Sequence, residues 1–162
     1  RARARIARND PANAIADAER VIATANANIN AYTLFQAYEA LALALQNAGR
    51  LPEAEQRLTE ARDRLPIYRA ALTEKIAVVL YQQGRKADAL RELESAREAA
   101  AAEMIPGSKL VFLRLGMLYA ELGRRDEARR ELQRFLRATS KDRSPIMRGY
   151  RTEAEKLLRS LN

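Results

Sequence analysis

The stretch FLRLGMLYAELGRRDEARRELQRF, residues 112–135, holds two amphipathic segments separated by Gly123. Two other stretches repeat its pattern: YEALALALQNAGRLPEAEQRLTEA at residues 38–61 and TEKIAVVLYQQGRKADALRELESA at residues 73–96. In each, an apolar segment of helical periodicity ends at a glycine, and a second segment with its own narrow apolar stripe follows. A period of about 35 to 40 residues built from two helices predicts a stacked helical solenoid.

The repeated glycines mark the predicted helix ends. Gly49, Gly84 and Gly123 are 35 and 39 residues apart. A residue without Cβ is favoured just past a helix end, where φ is positive, so we predict a turn between two antiparallel helices at each glycine. Alanine follows five residues after each glycine and leucine nine residues after it, which gives the second helix its apolar stripe.

Two further helices are predicted outside the three stretches. Asp10-Pro11 is an N-cap followed by proline in the first turn, and it predicts a helix to about Ala25. Ser144-Pro145 is the same signal, and the amphipathic segment after it predicts a helix that covers the apolar end of the solenoid. The second helix of the middle unit is expected to extend to about Met104, since the added residues complete one helical turn.

The pattern resembles the tetratricopeptide repeat (TPR) family over residues 35–140. The third unit carries the aromatic–Leu–Gly–Tyr–Gly–Ala skeleton of that repeat, whereas the second has Thr73 in the aromatic position. The resemblance implies an all-α, right-handed superhelical solenoid of antiparallel helix pairs, whose first helices line a concave groove for an extended peptide or a partner helix. The skeleton in the third unit is Phe112, Leu115, Gly116, Tyr119, Gly123 and Ala128.

The whole chain, residues 1–162, is predicted to be a single helical-repeat domain. Its predicted parts are a partial N-terminal unit at 1–28, three repeats at 29–66, 67–106 and 107–141, and a capping helix at 144–162.

Projecting the family's groove onto this chain gives a set of candidate partner-binding residues. Of the positions where some family members hold a carboxylate terminus, only Arg114 matches, so we do not expect a carboxylate clamp. The apolar members of the set predict a groove for an amphipathic helix, although some residues could instead pack between repeats. The set is Gln36, Glu39, Leu43, Asn47, Glu74, Lys75, Val78, Gln82, Leu110, Leu113, Arg114 and Met117.

The net charge of +8 is concentrated towards the ends of the chain, and residues 106–162 hold 14 basic and 7 acidic side chains. This distribution indicates an alternative, in which a basic face binds RNA or an anionic membrane surface and Tyr150 stacks on a base. Because carboxylates interleave with the arginines, we expect binding to polyanions to be weak and nucleic acid not to be the main partner. The basic face comprises Arg130, Arg134, Arg137, Arg148 and Arg151.

Several kinds of chemistry are not expected. The sequence has no Cys and no His, and it contains no glycine-rich phosphate loop, so we predict no enzyme activity, no cofactor and no metal site. There is no apolar run long enough to span a membrane, although peripheral membrane contact stays open. We expect a cytoplasmic location, or a periplasmic or membrane-tethered one if a signal peptide or anchor preceded Arg1.

These observations predict a non-catalytic scaffold or adaptor that binds a partner peptide or amphipathic helix in a partly apolar groove. The alternatives are the polyanion-binding solenoid and the regulatory repeat segment of a larger enzyme. The sequence does not indicate the partner's identity or the oligomeric state.

Overall fold

In the computed structural model, which describes residues 10–25 and 29–161, eight α-helices follow one another, and each packs against the next. Short 3₁₀ turns at Pro66–Tyr68 and Pro106–Lys109 precede the fourth and sixth helices. The described part is all-α, as predicted. The helices are α1 (Pro11–Ala23), α2 (Ala31–Asn47), α3 (Leu51–Arg64), α4 (Arg69–Gln82), α5 (Lys86–Ala102), α6 (Leu110–Glu121), α7 (Arg125–Ala138) and α8 (Pro145–Ser160).

The three glycine turns lie where the sequence predicts them, between the helices of each pair. Gly49, Gly84 and Gly123 have φ of 72°, 79° and 72°. In the first turn the Arg50 amide donates to the Leu45 carbonyl at 2.9 Å, the bond that defines a Schellman motif, and the other two turns repeat it. The prediction of antiparallel pairs α2–α3, α4–α5 and α6–α7 is confirmed.

Replacing Gly123 by Val should lower the free energy of unfolding by about 1–3 kcal/mol, because a β-branched residue is strained at positive φ. No atom lies within 4 Å of the added Cβ position, so the cost comes from the backbone alone. Urea denaturation measures the change. Gly123→Asn is the matched control and should cost less, since asparagine tolerates the left-handed region better. Equal losses for the two variants would contradict this explanation.

Arginine–carboxylate bridges stabilise the start of each second helix. The residue after each glycine is an arginine that begins the helix without a side-chain N-cap hydrogen bond. Its guanidinium instead binds the carboxylate three residues further on, in a turn where the helix dipole also favours negative charge. The motif Gly-Arg-x-x-acid-Ala occurs in all three stretches and could have predicted these bridges. The pairs are Arg50–Glu53, Arg85–Asp88 and Arg124–Glu127.

The helices of the third pair come closest at Gly116. A Cβ added there would lie 2.6 Å from Leu132 Cγ and 2.7 Å from its Cδ2. Leu132 is fully buried, so it has no free space to move into. The equivalent positions in the other pairs hold Ala42 and Ala77, both buried, and the small residue thus lets a leucine of the second helix pack on the first.

The end helices begin at the predicted caps. Asp10 Oδ1 accepts from the Asn13 amide at 3.3 Å, and Ser144 Oγ accepts from the Met147 amide at the same distance. Helix α8 packs mainly against α7 and buries Met147 and Ala154. The first turns of α1 and α8 are therefore stabilised by side-chain caps.

The connection after α5 ties two repeats together. Helix α5 has 17 residues against 14 in α3 and in α7, and it ends at Ala102 rather than at Met104. Glu103 then turns back, and its Oε1 accepts from the Ala70 amide at 2.5 Å at the start of α4. Lys109 Nζ donates to carbonyls at the C-terminal end of α5. Orphan backbone groups of both helices are thus satisfied by side chains.

The helix pairs lie within the ranges 29–66, 67–106 and 107–141, and the exact repeat limits stay a prediction. Of the partial N-terminal unit predicted at 1–28, the structure describes α1, and residues 1–9 and 26–28 lie outside the described residues.

Candidate partner-binding cleft

An open cleft of about 590 Å³ lies between the first helices of the three repeats and the last helix. Helices α2, α4 and α6 form its floor and sides, and α8 reaches it at one end. First helices line this surface because their apolar stripes are wider than those of the second helices, which leaves small and apolar side chains on the exposed side as well. The lining residues are Glu39, Ala40, Ala42, Leu43, Gln46, Glu74, Lys75, Val78, Leu110, Arg114, Ile146 and Tyr150.

Four charged side chains form a cluster that joins α2, α4 and α6. The Glu74 carboxylate is buried and accepts from Arg114 Nε at 2.9 Å. Its other oxygen lies 3.7 Å from Lys75 Nζ, which in turn lies 3.0 Å from Glu39 Oε1. The two acids and two bases sum to zero charge. Each charge of the cluster is thereby paired with an opposite charge, which offsets the cost of removing it from water.

The charges of the cluster hold its cations in their protonated forms. Burial lowers the pKa of the Lys75 ammonium, but the carboxylates of Glu74 and Glu39 outweigh that effect, and the pKa is raised. Burial likewise opposes the charge of Arg114, and the charge and hydrogen bond of Glu74 raise the pKa of its guanidinium. A carboxylate from a partner would have to compete with Glu74 for both cations.

The last helix contributes two residues that sequence reasoning did not assign to the groove. The Arg114 guanidinium carbon lies 5.9 Å from the centre of the Tyr150 ring, within cation–π range. Ile146, one turn earlier on the same face of α8, lines the cleft and is largely exposed. The periodicity of α8 indicates that these two side chains share a face. It does not indicate that superhelical curvature turns that face towards the cleft.

A smaller apolar pocket of about 280 Å³ continues the surface between α4 and α6. Val78 and Arg114 belong to both cavities, and Leu118 helps to form the wall of the smaller one. At its mouth the Tyr81 hydroxyl donates to Glu121 Oε1 at 2.7 Å, which fixes the position of the ring. The pocket has the size and apolar lining expected of a site for one bulky apolar side chain.

The structure brings most of the predicted groove residues together, on two adjoining cavities. Glu39, Leu43, Glu74, Lys75, Val78, Leu110 and Arg114 line the larger cleft, and Gln82 and Met117 line the smaller pocket.

Three predicted groove residues lie elsewhere. Leu113 is fully buried, so its assignment to the groove is wrong. Helix α6 is covered on several sides, and the consecutive residues 110–113 are all buried, which leaves no exposed face at that position. Gln36 is partly exposed and Asn47 exposed, but neither lines the two cavities.

The predicted basic face is smaller than the sequence indicates. The Arg134 guanidinium carbon lies 4.5 Å from the centre of the Phe112 ring. Arg151 Nη1 donates to the carbonyls of Thr139 and Asp142, at 2.7 Å each, where α7 has ended. These two arginines therefore stabilise the fold, and the placement of Tyr150 in the cleft removes it from this face. The exposed members are Arg130, Arg137 and Arg148.

Among residues 10–25 and 29–161, no helix combines the length and apolar character needed to cross a membrane. The same residues contain no group of three or more His, Cys, Asp or Glu side chains placed to hold a metal ion.

Comparison with known proteins identifies the repeat and the fold. The family described as tetratricopeptide repeat matches residues 110–138, which are the α6–α7 pair. Two crystal structures of nearly identical TPR-like repeats from a proposed kinesin light chain of Podosopora anserina are similar to the whole solenoid, at TM-scores of 0.64 and 0.62. Each is 19% identical in sequence, and the match covers 99% of this chain and 89% of the other. No curated protein matches the chain.

The predicted TPR resemblance is thus confirmed. Residues 110–138 match the tetratricopeptide repeat family, and the fold is similar to that of TPR-like solenoids. Repeats of this kind are typical of protein-interaction scaffolds, and the match supports that class of function.

Proposed function

We propose that this chain, a solenoid of TPR-like helix pairs, is a scaffold that binds an amphipathic helix of a protein partner in its concave cleft. The observation that carries the proposal is the composition of the cleft. Apolar side chains stand exposed around a charge cluster that is already neutral and paired within the chain. The affinity then comes from apolar contacts, with the polar cluster fixing where they are made.

The accessible apolar side chains of the cleft are spread over three helices. Leu43 on α2 and Ile146 on α8 are exposed and line the cleft, and the half-buried Val78 on α4 lines both cavities. A helix laid in such a groove presents side chains at i, i+3, i+4 and i+7, which would contact these separated positions in turn. The adjoining pocket beside Met117 would take one large apolar side chain, and the flexible thioether adapts to its shape.

The neutral cluster also favours a helix over a chain terminus. Since Lys75 and Arg114 are both engaged by Glu74, a free carboxylate gains little by approaching them. The apolar face of a helix requires no such exchange of partners.

A displayed library of helical peptides tests the proposal while the natural partner is unidentified. We expect selected peptides to carry an apolar stripe and to bind equally well with an amidated C-terminus. Leu43→Glu and Val78→Glu should each weaken their binding at least tenfold, about 1.4 kcal/mol, since a charge in an apolar contact is costly to desolvate. Isothermal titration calorimetry measures the dissociation constants.

Leu122→Glu is the matched control, because Leu122 is an exposed leucine beside the glycine turn at residue 123, away from the cleft. Circular dichroism should be unchanged in all three variants. Selected peptides that bind both cleft variants normally, or that require a free carboxylate, would refute the proposed mode of binding.

A further inference from the structure

The solenoid has two edges with different surfaces. Because the helices of each pair are antiparallel, the glycine turns lie at one edge, here called the turn edge. The connections between repeats lie at the opposite edge, together with the last turns of the second helices and the first turns of the first helices. This loop edge comprises residues 29–32, 63–70, 101–110 and 137–148.

Large apolar side chains stand exposed at every described connection of the loop edge. Met104 is 95% exposed, Ile146 74%, Ile67 61% and Tyr32 48%. Monomeric proteins seldom expose a row of such residues without a use for it. Neither Ile67 nor Met104 lines the cleft or the smaller pocket, so partner binding in the groove does not account for them.

Contacts between neighbouring connections hold these separated side chains along one edge. The ring of Tyr32 lies 6.4 Å from the ring of Tyr68, next to Ile67 in the chain. Glu103, which precedes Met104, binds the first turn of α4 through the Ala70 amide. The loop after it leads to Leu110, which lines the cleft together with Ile146.

The loop edge also carries a surplus of unpaired positive charge. Two of its three acids, Glu103 and Asp142, accept hydrogen bonds from backbone amides, and Asp63 is left exposed. Five cations at this edge are exposed and form no ion pair with any described residue. They are Arg69, Arg137, Lys141, Arg143 and Arg148.

The turn edge differs in charge and in apolar exposure. The arginine after each glycine binds a carboxylate three residues further on, as in Arg50–Glu53, and Lys86 Nζ lies 2.9 Å from Glu121 Oε2. Arg125 is the exception at this edge, an exposed cation that forms no ion pair with a described residue. Of the exposed large apolar residues, Leu122 and Tyr81 lie at this edge, and Tyr81 is 38% exposed with its hydroxyl bound to Glu121 and its ring beside Lys86. The surplus of exposed apolar side chains and unpaired cations is therefore a property of the loop edge and not of the surface in general.

We propose that the loop edge docks on the surface of an anionic lipid bilayer. Its apolar tips would enter the boundary between headgroups and acyl chains, while the flanking cations meet the anionic headgroups. Charge complementarity favours an anionic surface, and four separated apolar tips along one edge fit a lipid boundary better than a folded pocket. Duplex or single-stranded nucleic acid would use the cations but gain nothing from the exposed isoleucines and methionine.

Docking by this edge would leave the groove open towards solvent. The cleft is formed by the sides of α2, α4 and α6, whereas the loop edge is formed by their N-terminal ends and the adjacent connections. Ile146 belongs to both surfaces, so a protein partner and a membrane could be held at the same time with Tyr32, Ile67 and Met104 as the apolar contacts to the bilayer.

Vesicle co-sedimentation tests the proposal. At about 0.15 M salt we expect partitioning onto vesicles of about 30 per cent phosphatidylglycerol in phosphatidylcholine to exceed that onto pure phosphatidylcholine at least tenfold. The double variant Arg143→Glu with Arg148→Glu should partition onto the anionic vesicles at least tenfold less, since each cation near the surface contributes to binding. The double variant Ile67→Ser with Met104→Ser should also partition onto these vesicles at least tenfold less. Its remaining binding should fall more steeply with salt, because it rests on the cations.

Arg125→Glu with Leu122→Ser is the matched control, because it changes an exposed cation and an exposed leucine at the turn edge. It should partition like the unchanged protein. Absence of vesicle binding, equal binding to both vesicle types, or equal losses in the control would overturn the proposal. Tighter binding to DNA or RNA than to anionic vesicles at the same salt would also overturn it. Normal peptide binding by the Ile67→Ser, Met104→Ser variant separates this outcome from failure of the groove.

Discussion

Replacing Gly116 by Val should lower the free energy of unfolding by about 3 kcal/mol, because the added side chain overlaps a packed leucine. The Cβ alone would lie 2.6 Å from Leu132 Cγ and 3.4 Å from the Ala128 carbonyl oxygen. Leu132 is fully buried, so relief requires the α6–α7 pair to separate. Urea denaturation followed by circular dichroism measures the loss.

Gly149→Val is the matched control for this prediction. Gly149 lies within α8, is exposed, and has no atom within 4 Å of the Cβ position. Valine and glycine differ little in helix propensity, so the change should stay within about 0.5 kcal/mol. A large loss at residue 149, or none at residue 116, would show that close approach of the helices is not the cause.

Removing the buried carboxylate of the cleft should have an effect of similar size. Glu74→Leu leaves Lys75 and Arg114 without their shared partner, and we expect a loss of about 3 kcal/mol. That value is the lower end for a broken buried pair, because the two cations keep 28% and 26% of their side-chain surface exposed. Chemical denaturation at neutral pH measures it.

A second variant distinguishes the loss of charge pairing from a loss of packing. Glu74→Leu combined with Arg114→Leu removes both partners of the 2.9 Å pair and should cost less than the two single changes added together. Glu53→Leu, which breaks an exposed pair with Arg50, should have only a small effect. Additive losses for Glu74 and Arg114 would mean that the cluster does not act as a unit.

The fold could be predicted from the sequence because its signals are local. Each of three features meets a backbone or packing requirement that one repeat can satisfy alone. They are the glycine at position 123, the cap at Ser144 and the small residue at position 116. The turn at Gly123 and the cap at Ser144 lie where the sequence predicts them, and Gly116 of the family skeleton lies where α6 and α7 come closest. The arginine–carboxylate bridges after each glycine are local signals too. They are not predicted if the acids at the starts of the second helices are interpreted only as partners of the helix dipole.

The cleft could be predicted only in part, because its composition depends on how repeats stack. The sequence-based prediction assigns Leu113 to the groove, but it is buried because neighbouring elements cover α6 on several sides. The sequence of one repeat does not indicate which sides are covered. The polyanion-binding alternative has Tyr150 stacking on a base, whereas its ring centre lies 5.9 Å from the Arg114 guanidinium carbon in the cleft. Charge patterning indicates that Arg151 is a free cation, although carbonyls after α7 bind it.

Photocrosslinking from a single position tests directly whether the concave cleft holds the partner helix. A benzophenone amino acid would replace Leu43 in one variant and Leu122 in another, since both leucines are exposed but only Leu43 lines the cleft. Each variant would be irradiated with a peptide selected from the helical library, and the product analysed by mass spectrometry. We predict crosslinks through the apolar face of the peptide from position 43 and none from position 122. Crosslinks from position 122 alone, or equally from both positions, would show that the partner helix does not bind in the cleft.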